Sequence, residues 1–261
     1  MSARPYSLAV LAAAAMAAPA SAESVRLQFD KTTSSSAVTV KYNNGANTVT
    51  GTPGPYYWHQ SPGNGVPLNS ALPNGVTTFC VELSQTISTG STYTYTTTPL
   101  ASGPGISPQE ATLISQLYAT NFNTAWNSTS FTGSNASTAF QLALWELVYD
   151  TGSSLSLSGG NFFLTTTPAN ANAVAIAQGW LTDLKDGKGK NLATVFPNSQ
   201  LVYLSNGSNQ DQLALVPIPP TPPGPGNPVP APAGAVLLGM GGLLAAARNL
   251  RRRATAPTTV A

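Results

Sequence analysis

Ser137-Thr138-Ala139-Phe140-Gln141-Leu142-Ala143-Leu144-Trp145-Glu146-Leu147-Val148-Tyr149 decides the fold class. Its apolar residues recur every three to four positions, so the stretch reads as an amphipathic helix. At 100° per residue, Phe140, Ala143, Leu144, Leu147 and Val148 cover one broad arc. Gln141 projects between Val148 and Trp145, inside that arc or at its edge. A buried carboxamide without a partner costs about 1–3 kcal/mol, so Gln141 needs a specific one. A backbone group, a Ser or Thr hydroxyl and a cysteine are the candidates.

Two further helices flank this one. Ser107-Pro108-Gln109-Glu110 is a capping box with proline at the first helical position, and Ala111, Ile114, Leu117 and Tyr118 mark one face behind it. A third helix is expected from Thr167-Pro168 to Asp186-Gly187, with Val174, Ala177, Leu181 and Leu184 as its stripe.

Outside the helices the period changes to two. Ser24 to Phe29 and Ala37 to Tyr42 alternate as strands, with Asn43-Asn44-Gly45 as a turn between the second and its successor. Gly51 to Pro73 reads as a long Gly/Pro loop carrying Tyr56, Tyr57, Trp58 and His59. Val76 to Leu83 alternates again, and Ser91 to Thr98 is expected to pair with it as a hairpin. Leu201 to Leu204 and Leu213 to Val216 close the pattern. Strands, then helices, then strands predict an α+β fold: an antiparallel part, sandwich or barrel-like, with a three-helix part inserted.

The chain has a single cysteine, Cys80. In Val76-Thr77-Thr78-Phe79-Cys80-Val81-Glu82-Leu83, the residues Phe79, Val81 and Leu83 share one face. Thr78, Cys80 and Glu82 share the other, so the thiol is expected with the polar side chains. In an exported protein cysteines usually pair, which leaves an inert core residue, an intermolecular link or a reactive thiol.

Export is predicted from the N-terminus. Arg4, the apolar run from Leu8 to Ala18, and Ala20-Ser21-Ala22 form a signal peptide over residues 1–22, with cleavage before Glu23. One domain is expected over residues 23–215. Residues 216–232 hold nine prolines in seventeen positions and read as a semi-rigid spacer. Residues 233–250 are predicted to enter the membrane. Arg248, Arg251, Arg252 and Arg253 belong on the cytoplasmic side, which leaves the domain outside.

This tail resembles the PEP-CTERM sorting signal of Gram-negative bacteria: a Pro-x-Pro motif, an apolar segment and a basic cluster. The motif here is Val229-Pro230-Ala231-Pro232, with Ala231 where the family usually has Glu. The resemblance implies an exosortase-type sorting enzyme as partner, an inner-membrane intermediate, and delivery to the cell surface or extracellular matrix.

Only 8% of the residues are charged and the net charge is +2, with four arginines in the tail, so no basic stripe for nucleic acid exists. His59 is the sole histidine, which excludes a His-rich metal site; no metal and no cofactor are expected.

Phe79-Cys80 in a strand and Phe140-Gln141-Leu142-Ala143-Leu144-Trp145 in a helix together resemble the bacterial thioester domains. Asn209-Gln210-Asp211-Gln212-Leu213 before the last strand is also similar. The resemblance spans most of residues 75–216. It implies an internal thioester between the Cys80 and Gln141 side chains, shielded by Phe79, Trp145 and Val148. Such a bond is a single-turnover acyl donor, not an enzyme in the turnover sense. Its targets would be amines or hydroxyls of an exopolysaccharide or a surface protein. Glu82, Tyr149 or His59 could assist proton transfer. The alternatives are a structural biofilm protein with Cys80 and Gln141 unlinked, and a non-covalent carbohydrate-binding module using Tyr56 to Trp58.

Overall fold

The computed structural model describes residues 23–64, 72–150 and 155–218. The signal peptide, the sorting motif, the arginine cluster and the predicted span at 233–250 lie outside them. Among the described residues no helix is long and apolar enough to cross a membrane.

The described residues form nine strands and four helices in chain order. The strands are β1 (Glu23–Thr32), β2 (Val38–Tyr42), β3 (Asn47–Gly51), β4 (Tyr56–Gln60), β5 (Gly75–Cys80), β6 (Thr92–Pro99), β7 (Phe163–Leu164), β8 (Ser199–Ser205) and β9 (Gln212–Pro217). The helices are α1 (Pro108–Asn121), α2 (Asn135–Tyr149), α3 (Ala171–Lys185) and the single turn α4 (Leu192–Val195). Six strands close an antiparallel barrel in the order β1-β4-β5-β9-β8-β6, and β3-β2-β7 form a separate small sheet. The fold is therefore α+β, with a barrel rather than a sandwich.

Every barrel strand sends apolar residues inward, among them Leu27, Trp58, Val76, Tyr95, Leu204 and Ala214, and these pack together as one cluster. The second core lies between the barrel wall and the helices, where Phe79 and Leu213 meet Ile114, Leu117, Phe140, Leu144 and Leu181. Closure leaves no unpaired edge in the barrel. It also buries the end of β5, Thr78 to Cys80, on both faces.

Three expectations are corrected by this topology. Tyr56 to Gln60 is a barrel strand, not a loop; Tyr57 and Trp58 are buried, and the Trp58 indole donates to Thr78 Oγ1 at 2.8 Å. No exposed sugar-stacking platform exists there. The aromatic run has the residue types strands favour, and flanking Gly and Pro only set its ends. A bulge at Asp30 lets β1 follow it, with Phe29 opposite Trp58 and Lys31 opposite Tyr57. Second, β6 pairs with β1 and β8, whereas β5 pairs with β4 and β9, so Ser91 to Thr98 is not the hairpin partner of the Cys80 strand. Third, the face that Cys80 shares with Thr78 does not meet water: both residues are fully buried.

α1 and α2 follow their sequence signals, whereas α3 begins at Ala171, three residues past the expected start at Thr167-Pro168. α1 carries the Ser107–Glu110 capping box, and α2 begins two residues early on a second one, Ser134 with Ser137. The β2–β3 turn places Asn43, Asn44 and Gly45 at positive φ, as its sequence requires. β9 runs on through Pro217, so the barrel takes the first residues of the Pro-rich stretch.

Glu146 on α2 is fully buried. Its Oε1 accepts from the Ser156 N–H at 2.6 Å, and its Oε2 has no partner among the described residues. Burial pushes its carboxyl up to about 8, opposed by the Ser156 N–H and reinforced by the charge of Asp150. The fold thus holds a proton that the unfolded chain releases near the ordinary value of 4.5. Between those two values stability falls as pH rises, and it levels off above about 8. Urea midpoints measured across this window are expected to decline with pH, and Glu146→Gln is expected to flatten the decline.

Candidate functional site: Cys80 and Gln141

Cys80 is the last residue of β5, where the strand leaves the barrel wall beneath α2. Gln141 lies in the second turn of α2 and faces it. The Cys80 N–H donates to Gln141 Oε1 at 3.0 Å, and Gln141 Nε2 donates to the Cys80 carbonyl at 2.7 Å. The carboxamide therefore lies against the Cys80 backbone as a neighbouring strand would. Both residues are wholly inaccessible to water. The partner of Gln141 is a backbone group, and that group belongs to Cys80. Both bonds go to the backbone of the residue that carries the sulfur, and the sulfur itself is directed at the Glu82 carbonyl.

The Cys80 S–H donates to the Glu82 carbonyl at 2.8 Å. That carbonyl also accepts from Gln210 Nε2 at 3.1 Å. Gln210 in turn accepts from Gln212, whose Oε1 receives the Thr78 hydroxyl at 2.7 Å. A continuous polar chain thus joins Trp58 inside the barrel to the thiol. The sequence reading missed Thr78, Gln210 and Gln212 as members of it. Their signal was present in β9, where Gln212 stands at a fully buried place in an otherwise apolar run.

Burial pushes the Cys80 thiol well above its ordinary value. The Glu82 carbonyl bond and the Trp145 indole oppose the rise, and the charges of Glu82 and Asp211 add to it. A thiol held neutral in this way is a poor target for casual oxidation. Only a group held against it would react.

Phe79 packs tilted against Phe140 with ring centres 4.6 Å apart, and Tyr118, Phe122 and Trp126 complete an aromatic wall next to the site. Trp145 is one helical turn beyond Gln141 and 5% exposed. Val148 is half-buried against the same core. The Tyr149 hydroxyl accepts from the Leu83 N–H at 2.8 Å. Glu82 is half-buried, and its carboxylate accepts from the Ser84 hydroxyl. His59 is elsewhere: it pairs with Asp30 at the β1 bulge, 2.8 Å away, with both side chains exposed. It touches neither Cys80 nor Gln141.

A groove of about 360 Å³ opens beside the site, bordered by Val81, Glu82, Gln85, Tyr203, Asn206 and Asp211. Asp211 is fixed there by the Asn206 N–H at 2.6 Å and the Tyr203 hydroxyl at 3.0 Å.

No family model matches this chain, and no curated protein matches it. Among solved structures, the N-terminal thioester domain of a surface protein from Clostridium perfringens aligns with 69% of this chain and 98% of that one, at 12% identity and a TM-score of 0.34. At that score the likeness carries no argument, and the functional case rests on the residues themselves.

Proposed function

We propose that Cys80 and Gln141 form an internal thioester that couples this protein covalently to an amine or hydroxyl on a polysaccharide or protein. The observation that carries the reading is the two-point clamp of the Gln141 carboxamide on the Cys80 backbone, buried from water. A held, desolvated nucleophile and electrophile need little further ordering to react. In the forming step the Cys80 sulfur bonds to the Gln141 amide carbon. The C–N bond breaks, and the thiol proton leaves with the nitrogen as ammonia. In the opening step an incoming amine or hydroxyl bonds to the same carbon and the C–S bond breaks. The sulfur regains a proton, and the target stays attached to Gln141. The event occurs once per molecule.

The signal-peptide pattern and the PEP-CTERM-like tail support the setting. The protein is exported, held at the inner membrane through residues 233–250, and passed by an exosortase-type enzyme to the surface or matrix of a Gram-negative cell. The groove beside Glu82 and Asp211 is the path by which a nucleophile arrives.

Intact mass of the freshly purified domain tests the reading. A deficit of one ammonia is expected, and incubation with methylamine should convert it to the mass of the methylamide. Full mass in the fresh protein would sink the proposal. It would favour the second reading, an unlinked structural matrix protein. The satisfied hydrogen bonds of Gln141 support that alternative, since they alone account for its burial.

A further inference from the structure

We propose that the Trp145 indole N–H is a catalytic donor to the Cys80 sulfur, stabilising the thiolate as the bond to Gln141 forms and as it opens. The inference rests on the thioester reading above and adds a residue to its chemistry.

Trp145 Nε1 is buried and completes no full hydrogen bond in the resting protein, although it lies in reach of the Cys80 sulfur. A buried donor left in this state is costly and calls for an explanation. Its position supplies one. Trp145 follows Gln141 by four residues on α2, so the two side chains share a face, and Gln141 is clamped to Cys80. The indole is near enough to the sulfur to favour the thiolate, against the burial that disfavours it. A neutral thiol is a weak acceptor, which leaves the N–H unsatisfied. A thiolate is a strong one, and a bond to it is charge-assisted.

The other amide donors around the sulfur are already committed. Gln141 Nε2 serves the Cys80 carbonyl, and Gln210 Nε2 serves the carbonyls of Glu82 and Gln85. The thiol's own proton goes to the Glu82 carbonyl, which leaves the sulfur lone pairs open to a donor. Trp145 therefore contributes an interaction that is weak in the resting state and strong when charge develops on sulfur. That difference is what lowers a barrier. When an amine opens the thioester, its nitrogen bonds to the acyl carbon and the C–S electron pair stays on sulfur beside Nε1–H. The amine's proton then restores the thiol.

The test replaces Trp145 with β-(3-benzothienyl)alanine, which keeps the ring's shape and removes only the N–H; Trp145→Phe is the encoded second variant. In the otherwise native chain, the rate of thioester opening by methylamine should fall by about tenfold to a hundredfold with the isostere. In a Gln141→Ala chain the thiol is free whether or not the native protein forms a thioester. There the rate of modification by methyl methanethiosulfonate at fixed pH should fall about tenfold, because a thiol that holds its proton about tenfold more tightly offers about a tenth of the thiolate. A rate within about twofold of the parent's in this thiol assay overturns the donor role, because losing a charge-assisted bond to the thiolate costs more than that. Full mass in the native chain would instead overturn the thioester reading, while the thiol assay still decides the donor.

Discussion

Gln141→Ala and Cys80→Ala are expected to abolish the ammonia deficit equally and to differ sharply in stability. Cys80→Ala removes one sulfur from a buried site and keeps the backbone that Gln141 clamps. Measured against the unlinked protein, its expected cost is about 1 kcal/mol, in the range of a small truncation. Gln141→Ala removes both clamps at once. The Cys80 N–H and carbonyl are then left inside the core without those partners, each at about 1–3 kcal/mol. A cavity the size of the carboxamide adds to this. Loss of about 3–5 kcal/mol is expected, read as a fall in the urea midpoint at unchanged slope. Equal loss of the mass deficit with unequal loss of stability would separate the chemistry from the packing. If Gln141→Ala cost less than about 1 kcal/mol, the two-point clamp would not be the device that holds the pair.

Phe140→Ala is the second large effect. Phe140 precedes Gln141 and is fully buried. Its ring centre is 4.6 Å from that of Phe79, 4.8 Å from Tyr118 and 5.4 Å from Trp126. Truncation deletes a full aromatic ring from the layer between barrel and helices, where α1, β5 and the turn at Thr124–Asn127 converge. The expected cost is about 3–5 kcal/mol for the lost burial and the cavity, with part of each edge-to-face contact in addition. Phe140→Leu keeps most of the volume and should fold. Its expected phenotype is chemical: water gains entry, and a formed thioester hydrolyses faster, read as regain of one water in the intact mass over time. Unchanged hydrolysis in the Leu variant would show that the aromatic wall holds the fold but does not shield the bond.

How far the sequence reaches can be judged residue by residue. The Ser107 capping box, the apolar arc of α2 and the Asn43-Asn44-Gly45 turn were legible because each is a local matter, settled within a few residues by periodicity or by φ. The inward placement of Gln141 followed from the same helical projection. The strand at Tyr56 to Gln60 was obscured because breakers on both sides outweighed an aromatic run in a one-dimensional reading. The face of Cys80 was misread for a different reason. Alternation marks a core face only when the other face meets water, and closure of the barrel beneath a helical layer leaves the end of β5, Thr78 to Cys80, with no wet face.

By itself, then, the sequence determined the three long helices and most of the barrel strands, the burial of one glutamine and the presence of one thiol without a disulfide partner in the chain. Only the tertiary structure decided that β5 runs beside β9 instead of β6, which brings Gln210 and Gln212 to the thiol. It also decided that α2 lays Gln141 across Cys80, 61 residues away. Strand order and helix docking are non-local choices, set by which apolar faces must cover one another. No local pattern records them.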